Sequence, residues 1–179
     1  MNIKMSWLYI TTAKNSTQFK LQELPFEWMY KLTRACNYSN IEWENGRRAA
    51  ANFKAAHALV LDIDGTWTIA EAMAEFEHTA NCFIATTKSH QSSNKVTDNG
   101  SLGKAIEPKD YYRIIIGIEP ITDAEVYKTV ITNLINKYHG DQSCKDLARM
   151  YYGNPNQLVW FSGQQNTNLL TMEMPTDVA

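Results

Sequence analysis

Cysteine is scarce in this sequence, and its spacing excludes the sites that cysteines usually build. Cys36, Cys82 and Cys144 are odd in number and far apart, and none belongs to a C-x-x-C pair. Neither a zinc site nor a disulfide framework is therefore expected. We expect three buried or free thiols, as in a protein of a reducing cytoplasm.

Long apolar runs and a strong charge of either sign are also missing. No stretch approaches the roughly 20 apolar residues of a membrane span. The first seven residues lack the apolar core and the small-residue cleavage site of a secretory signal. We therefore expect no membrane partner. The formal net charge of −2 gives no global sign of nucleic-acid binding, so a binding groove would need local clusters of Lys and Arg.

The 179 residues are enough for one domain with a real core, and no repeat or linker divides them. Alternating or β-prone runs predict strands at Ser6 to Ala13, His57 to Asp64, Asn81 to Thr87, Tyr112 to Ile118 and Leu158 to Ser162. Leu169 to Met172 could add an edge strand in a frayed tail that begins at Gln164. Asn45-Gly46 predicts a hairpin turn. Gln91 to Glu107 is polar and predicts an exposed, mobile loop.

Three helices are predicted between these strands. The first opens at Pro25 and runs to about Cys36. Capping boxes predict the other two, with Thr68 and Glu71 opening Thr68 to Thr79, and Thr122 and Glu125 opening Thr122 to Tyr138. The predicted buried stripe of the last helix is Val126, Val130, Leu134 and Tyr138. Strands that alternate with helices predict an α+β or α/β fold with helices packed on a sheet.

The most informative segment is Leu59-Val60-Leu61-Asp62-Ile63-Asp64-Gly65. Side chains at i and i+2 of a strand point to the same face, so Asp62 and Asp64 lie side by side at a strand end. Two carboxylates this close repel each other unless a cation lies between them. A strand-end turn needs only one aspartate, whereas a hard divalent metal uses both.

Three further segments bring polar groups to strand or loop ends. In Ala85 to His90 a strand enters a turn with Lys88, Ser89 and His90, where a phosphate could bind. Arg113 begins a very apolar strand and needs an anionic partner there, either a phosphate or the carboxylate of a structural salt bridge. Segment 140–149 adds acidic residues and two cations after a helix end.

The order of these segments resembles the catalytic domain of the archaeo-eukaryotic primase superfamily, the primase-polymerases of plasmids, phages, archaea and eukaryotes. The resemblance extends from about Asn45-Gly46-Arg47 to Trp160. The family's first motif, D-x-D/E after a hydrophobic residue, matches Asp62 and Asp64. The second motif, S-x-H, corresponds to Lys88-Ser89-His90, where Ser and His are adjacent. The third, a hydrophobic residue followed by Asp, is assigned to Asp141, with Glu119 and Asp146 as second and third choices.

The resemblance implies a primase-polymerase core with a mixed sheet and an RRM-like half. It would form a single domain over 1–179, with an N-terminal subregion (1–44), a motif-bearing core (45–163) and a tail (164–179). The implied activity is DNA-dependent transfer of nucleotides from NTP or dNTP to a 3′-hydroxyl, in phage or plasmid replication. Its partners would be a single-stranded DNA template, a primer, and a helicase or accessory helical domain. Because all motifs end by about residue 163, we expect this chain to extend primers better than it starts them.

The resemblance also implies roles for individual residues. Two Mg²⁺ or Mn²⁺ ions, about 3.5–4 Å apart, would be held by three catalytic carboxylates, Asp62, Asp64 and Asp141. The nucleotide would be bound by His90, Ser89, Lys88 and Arg113. The DNA backbone would be followed by Arg47, Arg48, Lys145 and Arg149, in sequence-independent and salt-sensitive contacts.

Two other functions use nearly the same residues. Asp62-Ile63-Asp64-Gly65-Thr66 looks like the nucleophile motif of haloacid-dehalogenase-type phosphatases, with Asp62 as nucleophile, Asp64 as acid/base and Asp141 as a magnesium ligand. In that family the second acidic motif should follow an apolar strand, whereas residues 136–139 look like a polar helix end. The third possibility is a non-catalytic binding module of a replication protein, and the intact D-x-D argues against it.

Overall fold

The centre of the fold is a five-stranded sheet that carries the D-x-D segment on one of its inner strands. The structure, a computed structural model, describes residues 7–79, 81–97 and 99–162. In chain order the strands are β1 (Trp7–Ala13), β2 (Lys20–Pro25), β3 (Asn37–Ser39), β4 (Ile41–Trp43), β5 (Phe53–Asp64), β6 (Cys82–Thr86), β7 (Asn94–Val96), β8 (Leu102–Ala105), β9 (Tyr111–Ile121) and β10 (Val159–Phe161).

Three α-helices connect these strands: α1 (Met29–Ala35), α2 (Ile69–Phe76) and α3 (Ala124–Tyr138). Short 3₁₀ turns lie at Phe26–Trp28, Glu44–Gly46, Ala50–Asn52 and Gln142–Lys145. The protein is therefore α+β, as predicted. Within the described ranges, no helix is long and apolar enough to cross a bilayer.

The central sheet has the strand order β10-β6-β9-β5-β4, and each strand runs antiparallel to its neighbours. A second sheet has the order β2-β1-β3, and β7 pairs with β8 in a separate hairpin. Since β5 and β6 both pair with β9, they run in the same direction on either side of it. Their carboxyl ends therefore meet at one edge of the sheet, next to the start of β9.

A single hydrophobic cluster joins the N-terminal strands to the central sheet, from Ile10 to Phe161. Strand β5 is buried from Ala55 to Ile63, because its apolar run has packing partners on both faces. All three cysteines are free thiols, and Cys82 and Cys144 are buried, which confirms that prediction.

Helix α2 begins as predicted, whereas α3 begins differently. Thr68 and Glu71 form both hydrogen bonds of the capping box of α2. The prediction that Thr122 caps α3 was wrong. Asp123 is the N-cap, and its carboxylate accepts hydrogen bonds from the backbone N–H groups of Glu125 and Val126. A carboxylate at this position is favoured because it also complements the positive end of the helix dipole.

Of the predicted buried stripe of α3, Tyr138 is confirmed, whereas the other three positions were wrong by one residue. The buried residues are Tyr127, Ile131, Ile135 and Tyr138, while Val126 is half-exposed. One residue corresponds to a rotation of about 100° around the helix axis. The helix turns its larger apolar side chains inward, and Val130 and Leu134 pack at the edge of the core.

Two turn predictions also need correction. Asn45 and Gly46 do adopt positive φ, but they lie in a 3₁₀ turn and not in a two-residue hairpin, since residues 44–52 connect β4 to β5. Segment 91–107 is not a structureless loop, because it contains the β7–β8 hairpin. The prediction that the first helix opens at Pro25 was also wrong, because Pro25 ends β2 and precedes the 3₁₀ turn Phe26–Trp28, and α1 begins only at Met29. The predicted tail and its edge strand lie outside the described residues.

Candidate active site

Strand register places Asp62 opposite a cation. Asp62 pairs with Arg113 of β9, and Arg113 pairs with Ala85 of β6 on its other side. Residues directly opposite in antiparallel strands point to the same face. The D-x-D segment, the start of β9 and the turn after β6 therefore lie side by side.

Asp62 is buried and lies between two arginines. It is 6% exposed, and Oδ2 accepts a hydrogen bond from Nη2 of Arg149 at 3.2 Å. Its Oδ1 lies 3.4 Å from Nε of Arg113, an ion pair without hydrogen-bond alignment, so both atoms lack a hydrogen-bond partner. Asp62 is thus a buried carboxylate with one oxygen still able to accept a ligand.

Arg113 is held on several sides. Its Nη1 donates to the Tyr38 hydroxyl at 3.1 Å and to the Tyr152 carbonyl at 2.9 Å. Its guanidinium lies 5.0 Å from the ring centroid of Tyr151, which stacks on Tyr38. Burial by itself would lower the pKa of Arg113, but Tyr38 and Asp62 raise it above its usual range. The structure thus contains the salt bridge to a carboxylate that was one predicted alternative, and nucleotide binding by Arg113 stays a prediction.

Asp64 is the exposed member of the D-x-D pair. Its carboxylate lies 3.8 Å from Nζ of Lys95 on β7. Burial and the nearby charges of Asp62 and Asp141 raise the pKa of Asp64 above its usual value, against the opposite effect of Lys95. The three predicted carboxylates are therefore close enough to affect one another electrostatically.

Asp141 reaches the site through the turn that ends α3. His139 adopts a left-handed conformation (φ 56°), and the Gly140 N–H donates back to the Ile135 carbonyl at 3.1 Å. The chain then reverses, and the Asp141 N–H donates to the Asp62 carbonyl at 2.8 Å.

The Asp141 side chain is also fixed. Its carboxylate accepts a hydrogen bond from the Ser143 N–H at 2.7 Å and caps the following 3₁₀ turn. Burial would raise the pKa of Asp141, but this hydrogen bonding and the charges of Arg149 and Lys95 lower it. Asp141 is thus held ionised beside Asp62.

These residues surround one open cavity of about 270 Å³. Its wall contains three carboxylates (Asp62, Asp64 and Asp141) and four cations (Lys88, Lys95, Arg113 and Arg149). The remaining lining residues are Thr87, Ser89, Val96, Met150 and Tyr152. A polar cavity with both charges on its wall suits a substrate that carries phosphates together with a metal ion.

The side chains of the site are of the type that binds a hard divalent cation, although they do not converge on one point. Among the residues that the structure describes, no group of three or more His, Cys, Asp or Glu is arranged to hold a metal ion. Carboxylate oxygens are nevertheless the ligands that Mg²⁺ and Mn²⁺ prefer. The candidate oxygens for such an ion are Oδ1 of Asp62, which accepts no hydrogen bond, and the exposed carboxylate of Asp64.

The predicted phosphate-binding residues of the turn after β6 do not all lie at the cavity. Lys88 and the buried Ser89 line the cavity, whereas His90 is not among its lining residues in the described ranges. His90 Nδ1 accepts a 3.4 Å hydrogen bond from the Tyr111 N–H and lies 3.9 Å from Asp110. Burial lowers the pKa of His90, so this imidazole is neutral near pH 7.

The other two choices for a third carboxylate lie elsewhere. Glu119 is exposed on β9, six residues and about 20 Å along the strand from Arg113. Asp146 is exposed, and its side chain accepts a hydrogen bond from the Ala148 N–H. Of the three, the cavity wall includes Asp141 alone.

The four predicted DNA-binding cations are spread around this region. Arg149 lines the cavity, and Arg48 donates to the Ala148 carbonyl at 3.4 Å, next to it. Lys145 is exposed in the same segment. Arg47 is exposed beside Gly46, and its backbone pairs with Gln18. Their common role as a template groove stays a prediction.

Lys95 is the charged cavity residue that could not be identified from the sequence. It lies in a polar stretch without a buried face, so hydrophobic patterning gave no strand there. The only signal was a pair of short segments, Asn94-Lys95-Val96 and Leu102-Gly103-Lys104, separated by turn residues.

Comparisons with known proteins give one distant structural likeness. The chain is similar to the AEP domain of the primase-polymerase of cyanophage S-2L, with a TM-score of 0.44 and 11% identity over 88% of this chain and 82% of that chain. No protein-family model matches the chain, and no curated protein matches it. The function is therefore inferred from the residues of the cavity.

Proposed function

We propose that this chain is a metal-dependent nucleotidyltransferase of the primase-polymerase type, which adds nucleotides from NTP or dNTP to a primer 3′-hydroxyl on a DNA template. One observation carries the proposal. Three carboxylates and four cations line a single cavity where β5, β6 and β9 meet. This combination suits nucleotidyl transfer, because the reaction depends on positioning and charge neutralisation around phosphates.

The carboxylates are assigned to Mg²⁺ or Mn²⁺. The ion or ions would be held by Asp62, Asp64 and Asp141. One ligand would be Oδ1 of Asp62, which accepts no hydrogen bond. Bound there, such ions lower the pKa of the primer hydroxyl and offset charge on the triphosphate and the departing pyrophosphate.

The cations are assigned to two tasks. Arg113 and Arg149 orient Asp62, since both contact its carboxylate. Phosphate oxygens would be bound by Lys88 and Ser89, which line the cavity on the turn after β6. His90 is proposed as a further phosphate ligand from the same turn, and Arg47, Arg48, Lys145 and Arg149 as contacts to the DNA backbone.

The phosphatase alternative is weaker because of the position of Asp141. That family's second acidic motif should follow an apolar strand, whereas Asp141 follows helix α3 through a left-handed turn.

One assay separates the three functions. The protein is incubated with single-stranded DNA, labelled nucleotides and Mn²⁺, with and without an annealed primer, and with EDTA as the metal-free arm. A polymerase core gives metal-dependent incorporation that needs DNA. Release of phosphate from a small phosphate ester without DNA would favour the phosphatase, and DNA binding without incorporation would favour the binding module.

A further inference from the structure

The β7–β8 hairpin brings a lysine into the cavity from outside the central sheet. Lys95 lies on β7 and lines the cavity beside the D-x-D pair. Its Nζ is 3.8 Å from Oδ1 of Asp64 and 5.4 Å from the ring centroid of Tyr111. The lysine therefore neutralises one of the carboxylates that we assign to the metal.

The contact between Lys95 and Asp64 is weak enough to be exchanged. The Lys95 side chain is 44% exposed and the Asp64 side chain 43% exposed, and their separation is near the limit for an ion pair. Such exposed pairs contribute little stability. The cavity's arginines differ, because Arg113 and Arg149 both contact the buried Asp62 and stack on Tyr151.

The hairpin is joined to the turn that we assign to phosphate binding. The Val96 N–H donates to Oγ of the buried Ser89 at 3.1 Å, and the Ile106 N–H donates to the Ser93 carbonyl at 2.9 Å. Strand β8 is exposed along its length. Lys95 is thus held near Ser89 by the backbone of its neighbour Val96, while its long, partly exposed side chain can reach different points of the cavity.

We propose that Lys95 is a phosphate-binding residue that exchanges partners during nucleotide binding. Without substrate it pairs with Asp64. When a divalent ion takes the Asp64 carboxylate, like charge repels the ammonium group, and the triphosphate offers it new oxygen partners. This role rests on the proposed function, because it requires a metal and a triphosphate in the same cavity.

The test measures two binding constants on the full chain, without catalysis. Lys95→Met should tighten binding of Mn²⁺ alone several-fold by calorimetry, because a competing cation has been removed. In saturating Mn²⁺ it should weaken binding of a non-hydrolysable α,β-imido dNTP by about tenfold, as expected for one charge-assisted contact. Lys95→Arg should retain triphosphate affinity.

Lys104→Met is the matched control, since Lys104 is exposed on β8 of the same hairpin and does not line the cavity. It should change neither constant. A purely structural Lys95 would leave both constants unchanged or weaken both, and either result overturns the proposal. If the wild-type chain fails to bind the analogue, both the proposed function and the role of Lys95 are contradicted. If the wild type binds and Lys95→Met binds equally well, only the role of Lys95 is contradicted.

Discussion

Asp62 combines a structural and a proposed catalytic role in one buried carboxylate. It compensates the charges of Arg113 and Arg149, whose side chains are 12% and 29% exposed. Leaving buried charges without a partner is costly. A variant at Asp62 therefore changes stability as well as chemistry.

Asp62→Asn should abolish nucleotide incorporation and also lower the free energy of unfolding by about 3 kcal/mol, because two largely buried arginines lose their counter-charge. Urea denaturation followed by fluorescence measures the loss of stability.

Asp64→Asn is the matched control variant, since Asp64 is exposed and its ion pair is long. It should abolish incorporation while changing stability by less than about 0.5 kcal/mol. Equal loss of stability in both variants would contradict this account of Asp62.

His90 can serve as a neutral hydrogen-bond donor. Its Nδ1 accepts the Tyr111 N–H, which leaves the proton of the neutral ring on Nε2. Burial lowers the pKa of His90, so the neutral ring persists at pH 7 and above. The ring is protonated only as the pH falls through this lowered value, and Nδ1 can then no longer accept the hydrogen bond from the Tyr111 N–H.

His90→Ala should raise the apparent KM for nucleotide about tenfold or more, the effect expected for one hydrogen bond to a charged phosphate. Steady-state incorporation kinetics measure it. His78→Ala is the control, because His78 is almost fully exposed in the turn after α2. An unchanged KM in His90→Ala would leave His90 with only its contact to β9.

At the scale of elements, the start of α3 is the clearest difference between sequence pattern and structure. Asp123→Ala should cost about 1 kcal/mol, because two N–H groups of the first turn lose their acceptor. Thr122→Ala should have almost no effect on the free energy of unfolding. Thermal and urea denaturation of the two variants would decide between them, and the reverse order would restore Thr122 as the cap.

Long elements with a buried apolar face could be predicted from sequence, whereas short or exposed ones could not. Strands β3 and β4 were missed although they are largely buried, because three residues are too few to show a period. Strands β5, β6 and β9 follow from their apolar runs, and the capping box marks the start of α2. The β7–β8 hairpin has short, polar and largely exposed strands, so no periodic signal revealed it.

The candidate site was predictable in part for the same reason. Asp62 and Asp64 follow from strand alternation alone. The place of Asp141 depends on the left-handed turn at His139 and on a backbone hydrogen bond to Asp62. Non-glycine residues seldom adopt that conformation, so the sequence pattern could not specify the reversal.

At the scale of the whole molecule, the proposed template contacts must act without a basic surface overall, since the net charge is −2. Neutralising Arg47 and Arg48 together, as Arg47→Gln and Arg48→Gln, should reduce the salt slope of single-stranded DNA binding by about 1.4, or about 0.7 for each phosphate that is no longer neutralised. Fluorescence anisotropy over a series of salt concentrations measures the slope. Lys128→Gln with Lys137→Gln on α3 is the control pair and should leave it unchanged. An unchanged slope in the arginine variant would place the groove elsewhere.

The proposed nucleotidyl transfer depends on three carboxylates, those of Asp62 and Asp64 at the end of β5 and that of Asp141 in the turn after α3. Its most direct test is extension of a labelled primer on a DNA template in Mn²⁺ by the wild type, Asp64→Asn and Glu119→Gln. Glu119 serves as the control because it lies on β9 about 20 Å from Arg113. We predict that the wild type and Glu119→Gln extend the primer. Asp64→Asn should not extend it, although its melting temperature should equal that of the wild type. Failure of the wild type to extend, or extension by Asp64→Asn at the wild-type rate, would contradict the proposed nucleotidyl transfer.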